Sequence, residues 1–179
     1  MISIIFLTFM SLIMNGETII LNFDSPTTSG DWVTVDDVVM GGVSNSKFII
    51  NPDGIATFSG TVSPENNGGF ASARTSIENE FKDYEGVVIR VKGDGNIYSL
   101  RFRTDINFDG ISYQAKFKTE LGEWKEYKIP LGDFKPTFRG KILSDKPKLE
   151  SKNIKQIGIL IADKQFGKFE LNIDWIKFY

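Results

Sequence analysis

Apolar and polar residues alternate along much of the chain in short runs with a period of two. Over 98–104 the alternation is strict, with Tyr98, Leu100 and Phe102 on one side and Ser99, Arg101 and Arg103 on the other. Residues 112–118 repeat it, setting Tyr113, Ala115 and Phe117 against Ser112, Gln114 and Lys116. In 70–77 the polar side holds Ser72 and Arg74, opposite Ala71, Ala73 and Thr75. Further β-rich runs occupy 18–23, 32–35, 43–50, 55–62, 87–92, 124–129, 154–162 and 169–179. Asn51-Pro52-Asp53-Gly54 is a turn sequence, so 43–50 and 55–62 are predicted to form a hairpin. Residues 131–147 read as a long irregular excursion holding Pro136 and Pro147, with one short helical turn over 131–134. Roughly ten short strands and no amphipathic helix predict an all-β, jelly-roll β-sandwich of a single domain.

The front of the chain departs from this pattern. Residues 2–14 are apolar except for Ser3, Thr8 and Ser11, and the polar Asn15-Gly16-Glu17 follows. The run is short for a membrane span and has the length of a signal-peptide core. The expectation is a leader over 1–16, a mature domain over 17–179 with no integral membrane span, and export to a periplasmic or extracellular space. If the run is instead a buried strand, the expectation is a cytoplasmic protein.

Composition narrows the chemistry. The 179 residues contain no Cys, so disulfides, thiolate nucleophiles and sulfur-ligated metals are excluded. They contain no His, which removes the commonest general base near neutral pH and the commonest zinc ligand. The net charge of −2 is unevenly spread. Residues 1–89 carry 3 basic and 11 acidic side chains (3 − 11 = −8), and residues 90–179 carry 18 and 12 (18 − 12 = +6). Such halves either form a partner surface or interleave in space and cancel.

The stretch 31–74 organises the rest. It holds two glycine pairs, Gly41–Gly42 and Gly68–Gly69, together with Asp36, Asp37, Glu65, Asn66, Asn67 and Arg74. Paired glycines supply positive φ or let another chain approach closely, so this is read as the structured polar end of a β-domain. Asp36 and Asp37 are adjacent, and on a strand they would point to opposite faces rather than converge as a catalytic or metal-binding pair. Asp105-Ile106-Asn107-Phe108-Asp109-Gly110 copies the opening of a calcium loop, but the twelfth position is Lys116 rather than a bidentate Glu, and a hairpin turn is expected there. Lys135 to Lys155 is basic but broken by prolines and lacks stacking aromatics, which argues against nucleic-acid binding. No enzyme, cofactor or metal is expected. The candidate binding residues are Asp36, Asp37, Arg74, Arg101, Arg103 and Gln114, and the candidate structural-loop residues are Gly41, Gly42, Asn66, Asn67, Gly68 and Gly69.

Several blocks in order carry a resemblance. They are the 31–74 stretch, Arg101-Phe102-Arg103-Thr104-Asp105 with Asp109-Gly110 and Tyr113, Phe134-Lys135-Pro136-Thr137-Phe138-Arg139-Gly140, residues 157–165 with Phe169, and Asp174-Trp175-Ile176. Over about 18–179 the chain resembles the complex I intermediate-associated protein 30 family, the assembly-factor domain of NADH:ubiquinone oxidoreductase. That resemblance implies a galactose-binding-like jelly roll acting as a non-enzymatic binding or assembly module on a polypeptide partner. The alternative partner, from the jelly-roll architecture, is a glycan. Family members in mitochondria carry a transit peptide, Arg-rich and acid-poor by type, where this chain has its apolar run.

The leader reading has a direct test. A chain beginning at Glu17 is expected to melt at the same temperature as the full chain, and a loss of several degrees would make 2–14 part of the core.

Overall fold

The computed structural model describes residues 16–24, 31–78, 80–107 and 109–179. The apolar run 2–14 lies outside them. Among the described residues there are thirteen strands, and the only helices are four single 3₁₀ turns, at Asp37–Met40, Glu65–Asn67, Leu131–Asp133 and Ser151–Asn153. The strands are β1 (Thr18–Asn22), β2 (Val33–Thr34), β3 (Asn45–Ile50), β4 (Ala56–Val62), β5 (Ala71–Ser76), β6 (Gly86–Lys92) and β7 (Ile97–Arg103). They continue with β8 (Ser112–Lys118), β9 (Trp124–Pro130), β10 (Lys135–Phe138), β11 (Lys141–Ile142), β12 (Gln156–Ile161) and β13 (Gly167–Phe178).

Two antiparallel sheets face each other. The first runs β3-β4-β13-β6-β9, with β1 beside the C-terminal half of β13; the second runs β11-β10-β8-β7-β12-β5-β2. The alternation read from the sequence sets the layers. Tyr98, Leu100 and Phe102 of β7 and Ile157, Ile159 and Ile161 of β12 point inward and are buried. They meet Phe58 of β4, Ile89 of β6 and Leu171, Ile173, Ile176 and Phe178 of β13. Both sheets draw strands from both halves of the sequence, so the acidic front half and basic back half interleave.

The hairpin forms as expected, with β3 paired to β4 and Gly54 at φ 79° in the turn. Three expectations need correction. The strand expected from Val43 begins only at Asn45, because the Ser44 N–H is drawn to the Asp37 carboxylate instead of a ladder. The strand expected over 32–35 is reduced to Val33–Thr34, since the Val35 N–H already bonds the Ser72 carbonyl and the chain then turns into the 3₁₀ segment. The region 131–147 is not wholly irregular. The turn at Leu131–Asp133 is present, but β10 and β11 form a small hairpin across Arg139 and Gly140, at φ 47° and 78°. Two central residues at positive φ are what a type I′ hairpin turn requires, and Pro136 contributes only its carbonyl, to Leu143 N–H.

Phe58 is fully buried, with its ring centroid 4.9 Å from that of Phe169. Replacing it with Ala is expected to destabilise the fold by about 3–5 kcal/mol in a urea titration, because the cavity cannot close between two sheets.

Candidate functional site

The sequence-predicted residues fall into two separate places. Asp36, Asp37 and the glycine pairs lie where the chain crosses between sheets. Arg74, Arg101, Arg103 and Gln114 lie on the outward face of the seven-stranded sheet.

At the crossing, Asp37 is fully buried in the first 3₁₀ turn. One carboxylate oxygen accepts the Ser44 N–H at 2.9 Å. The other accepts the Ser44 hydroxyl at 2.5 Å and the N–H groups of Gly69 at 2.6 Å and Phe70 at 3.3 Å. Ser44 Oγ in turn accepts the Ser63 N–H, and Asn66 Nδ2 donates to the Gly41 carbonyl. Two of the glycines make room for this carboxylate, and the other two turn the chain. A Cβ on Gly42 or Gly68 would stand 2.3 Å and 2.5 Å from its oxygens, while Gly41 and Gly69 hold φ of 89° and 138°. Asn66 and Asn67 also take left-handed φ, which Asn tolerates better than most residues. Burial pushes the Asp37 carboxyl up, but the four donors from Ser44, Gly69 and Phe70 outweigh it and hold the carboxyl below the ordinary carboxylate range. Asp36 behaves differently. Burial raises its carboxyl although Ser46 Oγ donates to it at 2.6 Å. The two aspartates therefore do not converge, and every acceptor position on Asp37 used here is spent on the protein's own backbone and Ser44.

On the sheet face, register brings the arginines together. Gly158 of β12 lies opposite Arg74 on β5 and opposite Arg101 on β7, and Arg101 in turn lies opposite Gln114 on β8. One pair along, Gln156 lies opposite Arg103. Arg101 Nε and Nη2 donate to Ser112 Oγ at 3.2 and 2.6 Å, and Arg103 donates to the Gly110 carbonyl. Neither arginine forms an ion pair among the described residues. Burial first, then Arg103 and Arg74, pull the Arg101 guanidinium down to about 10. Burial also lowers Arg103, against the attraction of Asp105 and Asp109. Asp36, Asp37 and Glu65 do not neutralise this patch, since Asp36 and Asp37 are engaged at the crossing and Glu65 sits in the neighbouring 3₁₀ turn.

Gln156 and Gly158 carry no mark of a site in the sequence. Gln156 sits in an apolar run and Gly158 reads there as a plain interruption, and only cross-strand pairing shows that they separate the arginines. The arginines, Ser72, Gln156 and Gly158 border a cleft of about 20 Å³. Gln114 instead lines a larger opening of about 660 Å³ at the sandwich edge, between β8 and β9, with Phe117 and Tyr127. Among the described residues no cluster of three or more acidic side chains is placed to hold a metal ion. The Asp105–Gly110 loop closes on itself, with the Asn107 N–H on Asp105 Oδ1 and a Gly110 Cβ position 2.6 Å from the same carboxylate.

Removing the crossing carboxylate by Asp37→Ala takes the acceptor from three N–H groups, one buried and two part-buried, and from the Ser44 hydroxyl, and is expected to cost roughly 3 kcal/mol or more in urea unfolding. Gly42→Ala and Gly68→Ala are expected to destabilise more than Gly41→Ala, which meets no neighbour and costs about 1 kcal/mol of backbone strain. Because the Asp37 carboxyl is depressed in the fold, its contribution is complete above the unfolded carboxylate value of about 3.9 and is lost as pH falls through the lower folded value. The stability difference between the chain and Asp37→Ala is therefore expected to shrink on acidification below that pH.

Comparison with solved structures places the fold beside carbohydrate-binding modules. A family 11 carbohydrate-binding module of a cellulosomal cellulase from Clostridium thermocellum superposes with a TM-score of 0.66 at 19% identity, covering 91% of this chain and 94% of that one. The same module in complex with a β-1,3-1,4-mixed-linked tetrasaccharide gives 0.65. At that identity the likeness establishes the jelly-roll sandwich alone. Among curated proteins, a probable complex I intermediate-associated protein 30, mitochondrial, of Caenorhabditis elegans is 26% identical over 158 residues, covering 77% of this chain and 46% of that protein. The mitochondrial protein of that name from Drosophila melanogaster is 24% identical over 185 residues, covering 90% and 62%. An uncharacterized protein of Schizosaccharomyces pombe is 29% identical, covering 82% and 77%. The chain thus spans about half the length of the first of these relatives. The pattern described as Complex I intermediate-associated protein 30 matches residues 21–173, from β1 into the middle of β13, and the chain belongs to that family.

Proposed function

We propose that the chain is a non-enzymatic binding module that engages a polypeptide partner through the outward face of the seven-stranded sheet and aids assembly of a protein complex. One observation carries this reading. Arg74, Arg101 and Arg103 stand together on neighbouring positions of one face, and Arg101 and Arg103 have no acid paired to them among the described residues. Asp105 and Asp109 attract Arg103 from the adjoining loop without forming an ion pair with it, and half-buried guanidiniums that lack a paired acid carry a cost that an acidic partner offsets on docking. Arginine suits that task because its planar fork pairs with carboxylates through two hydrogen bonds. Family membership supports an assembly role, since relatives bear the name of an assembly intermediate. The absence of His and Cys from the whole sequence supports a non-catalytic module. Among the described residues no helix is long and apolar enough to cross a membrane. The relatives' names place them in mitochondria, which favours the non-exported alternative over export of this chain.

A glycan is the second reading, favoured by the fold neighbours and by the 660 Å³ opening beside Phe117 and Tyr127. The arginine-bearing face argues against it. Among the described residues of β5, β7, β8 and β12, the outward positions Ser72, Ser99, Gln114 and Gln156 and the arginines carry no aromatic ring for a sugar to stack on.

Affinity capture from native cells, with a glycan array run in parallel, separates the readings. A protein retained by the chain, released by salt and lost with the double variant Arg101→Gln, Arg103→Gln is the expected result. A specific glycan with no retained protein would replace this reading by the second.

A further inference from the structure

The outward face of the sheet is not uniform, and its centre has an unusual floor. Gly158 stands between Arg74 and Arg101 in register, so the two guanidinium-bearing strands flank a residue with no side chain. A Cβ there would lie 2.8 Å from the Ala73 carbonyl and 3.2 Å from Arg74 Cβ, so backbone alone forms the floor. Arg103 and Gln156 make the next cross-strand pair along the same edge. The resulting cleft, about 20 Å³, holds little more than one water molecule. It admits the oxygens of a small planar group and excludes a sugar ring.

The donors and acceptors of its walls are complementary to something specific. Arg101 uses Nε and Nη2 on one acceptor, Ser112 Oγ, and Nη1 makes no hydrogen bond among the described residues. Gln156 is buried, and its Nε2 is committed to the carbonyls of Asp105 and Asn107 at 2.8 and 3.2 Å. That orientation leaves Oε1 as a buried acceptor with no partner. A buried unpaired acceptor is costly and is rare in a finished structure. The cleft therefore sets guanidinium donors for an anionic oxygen pair beside Gln156, a wall residue whose Oε1 is a buried acceptor without a partner.

We infer that the cleft over Gly158 is a seat for a single peptide carboxylate, held by Arg101 with Arg74 and Arg103 beside it, while Gln156 Oε1 takes a main-chain N–H of the same peptide. This rests on reading the sheet face as a protein-binding surface, and it sharpens that reading to one acidic residue at the centre of the contact. An Asp or Glu side chain and a chain's terminal carboxylate share this chemistry. An inorganic oxyanion supplies the charge but not the N–H donor, and a neutral glycan supplies no charge.

The test uses the full chain, ¹⁵N-labelled, and follows the Arg101 and Arg103 Nε–H signals by NMR. Four probes are titrated separately: a short capped peptide with a single Glu, the same peptide with Gln in its place, an uncharged peptide ending in a free carboxylate, and inorganic phosphate. Saturable shifts with the Glu peptide, the free-ended peptide or both, and none with the Gln peptide, are expected; which of the two responds identifies the carboxylate's source. Arg101→Gln, at an unchanged melting temperature, is expected to weaken the responding peptide at least tenfold, and Gln156→Leu to weaken it less. If Arg101→Gln does not fold, the wild-type titrations still decide. No saturation by either carboxylate probe, or phosphate binding as tightly as the peptides, overturns the seat. Partner capture that persists with Arg101→Gln would overturn the seat and leave the protein-binding face standing. Carboxylate binding without any captured protein would keep the seat and remove the assembly role.

Discussion

The buried carboxylate of Asp37 is the interaction on which the two-sheet arrangement most depends. The chain passes from the second sheet to the first between β2 and β3, and back again between β4 and β5. Asp37 sits in the first crossing and accepts hydrogen bonds from Ser44 in the same crossing and from Gly69 and Phe70 in the second. A carboxylate removed from water is tolerated only when its oxygens are fully engaged, and here four donors do that. The carboxylate occupies the space that a Cβ on Gly42 or Gly68 would take, while Gly41 and Gly69 supply positive φ. Charge, loop shape and sheet connection are thus one feature.

That clamp also reaches the candidate site. Phe70, whose N–H and carbonyl both bond to Asp37, leads directly into β5, and the Ser72 hydroxyl and carbonyl bond the Val35 backbone. The start of β5 is therefore held in one register, and Arg74 follows in fixed alternation on the outward face. A one-residue slip would turn Arg74 into the core and expose Ala73. The arginine cluster thus sits on a rigid central part of the sheet, between the paired strands β5, β12 and β7, rather than on loops. Among the described residues, loops meet its margin through Gly110, Asp105 and Asn107.

The arrangement places its costs in one spot. Burial first, and then the like charges of Arg103 and Arg74, loosen the hold of Arg101 on its proton. On the other sheet Arg90 is ion-paired with Asp174, whereas Arg101 and Arg103 have no ion pair among the described residues, and Gly158 places no side chain between Arg74 and Arg101. Family membership and the likeness to carbohydrate-binding modules describe the scaffold; the proposed binding rests on the side chains that the scaffold holds on that face.

Much of the scaffold was readable from the chain alone. Strict period-two alternation in 98–104 and 112–118 fixes which side chains face the core, because successive residues of a strand point to opposite faces whatever the neighbours are. The sandwich class, the hairpin at Asn51–Gly54 and the turn at Leu131 follow from local patterns of the same kind. The β10–β11 hairpin was hidden because Pro136 breaks the local strand pattern and the positive φ of Arg139 carries no sequence mark. Which strands are neighbours is a non-local fact: nothing in the order β5, β7, β12 tells that β12 lies between the other two. Only that pairing brings Arg74 and Arg101, far apart in sequence, to either side of Gly158, and makes Gln156 part of the cleft. Asp37 shows the same limit from the other side. The sequence marks it as one acid of a pair beside glycines, but burial and four convergent donors are properties of two loops packed together, and those exist only in the folded chain.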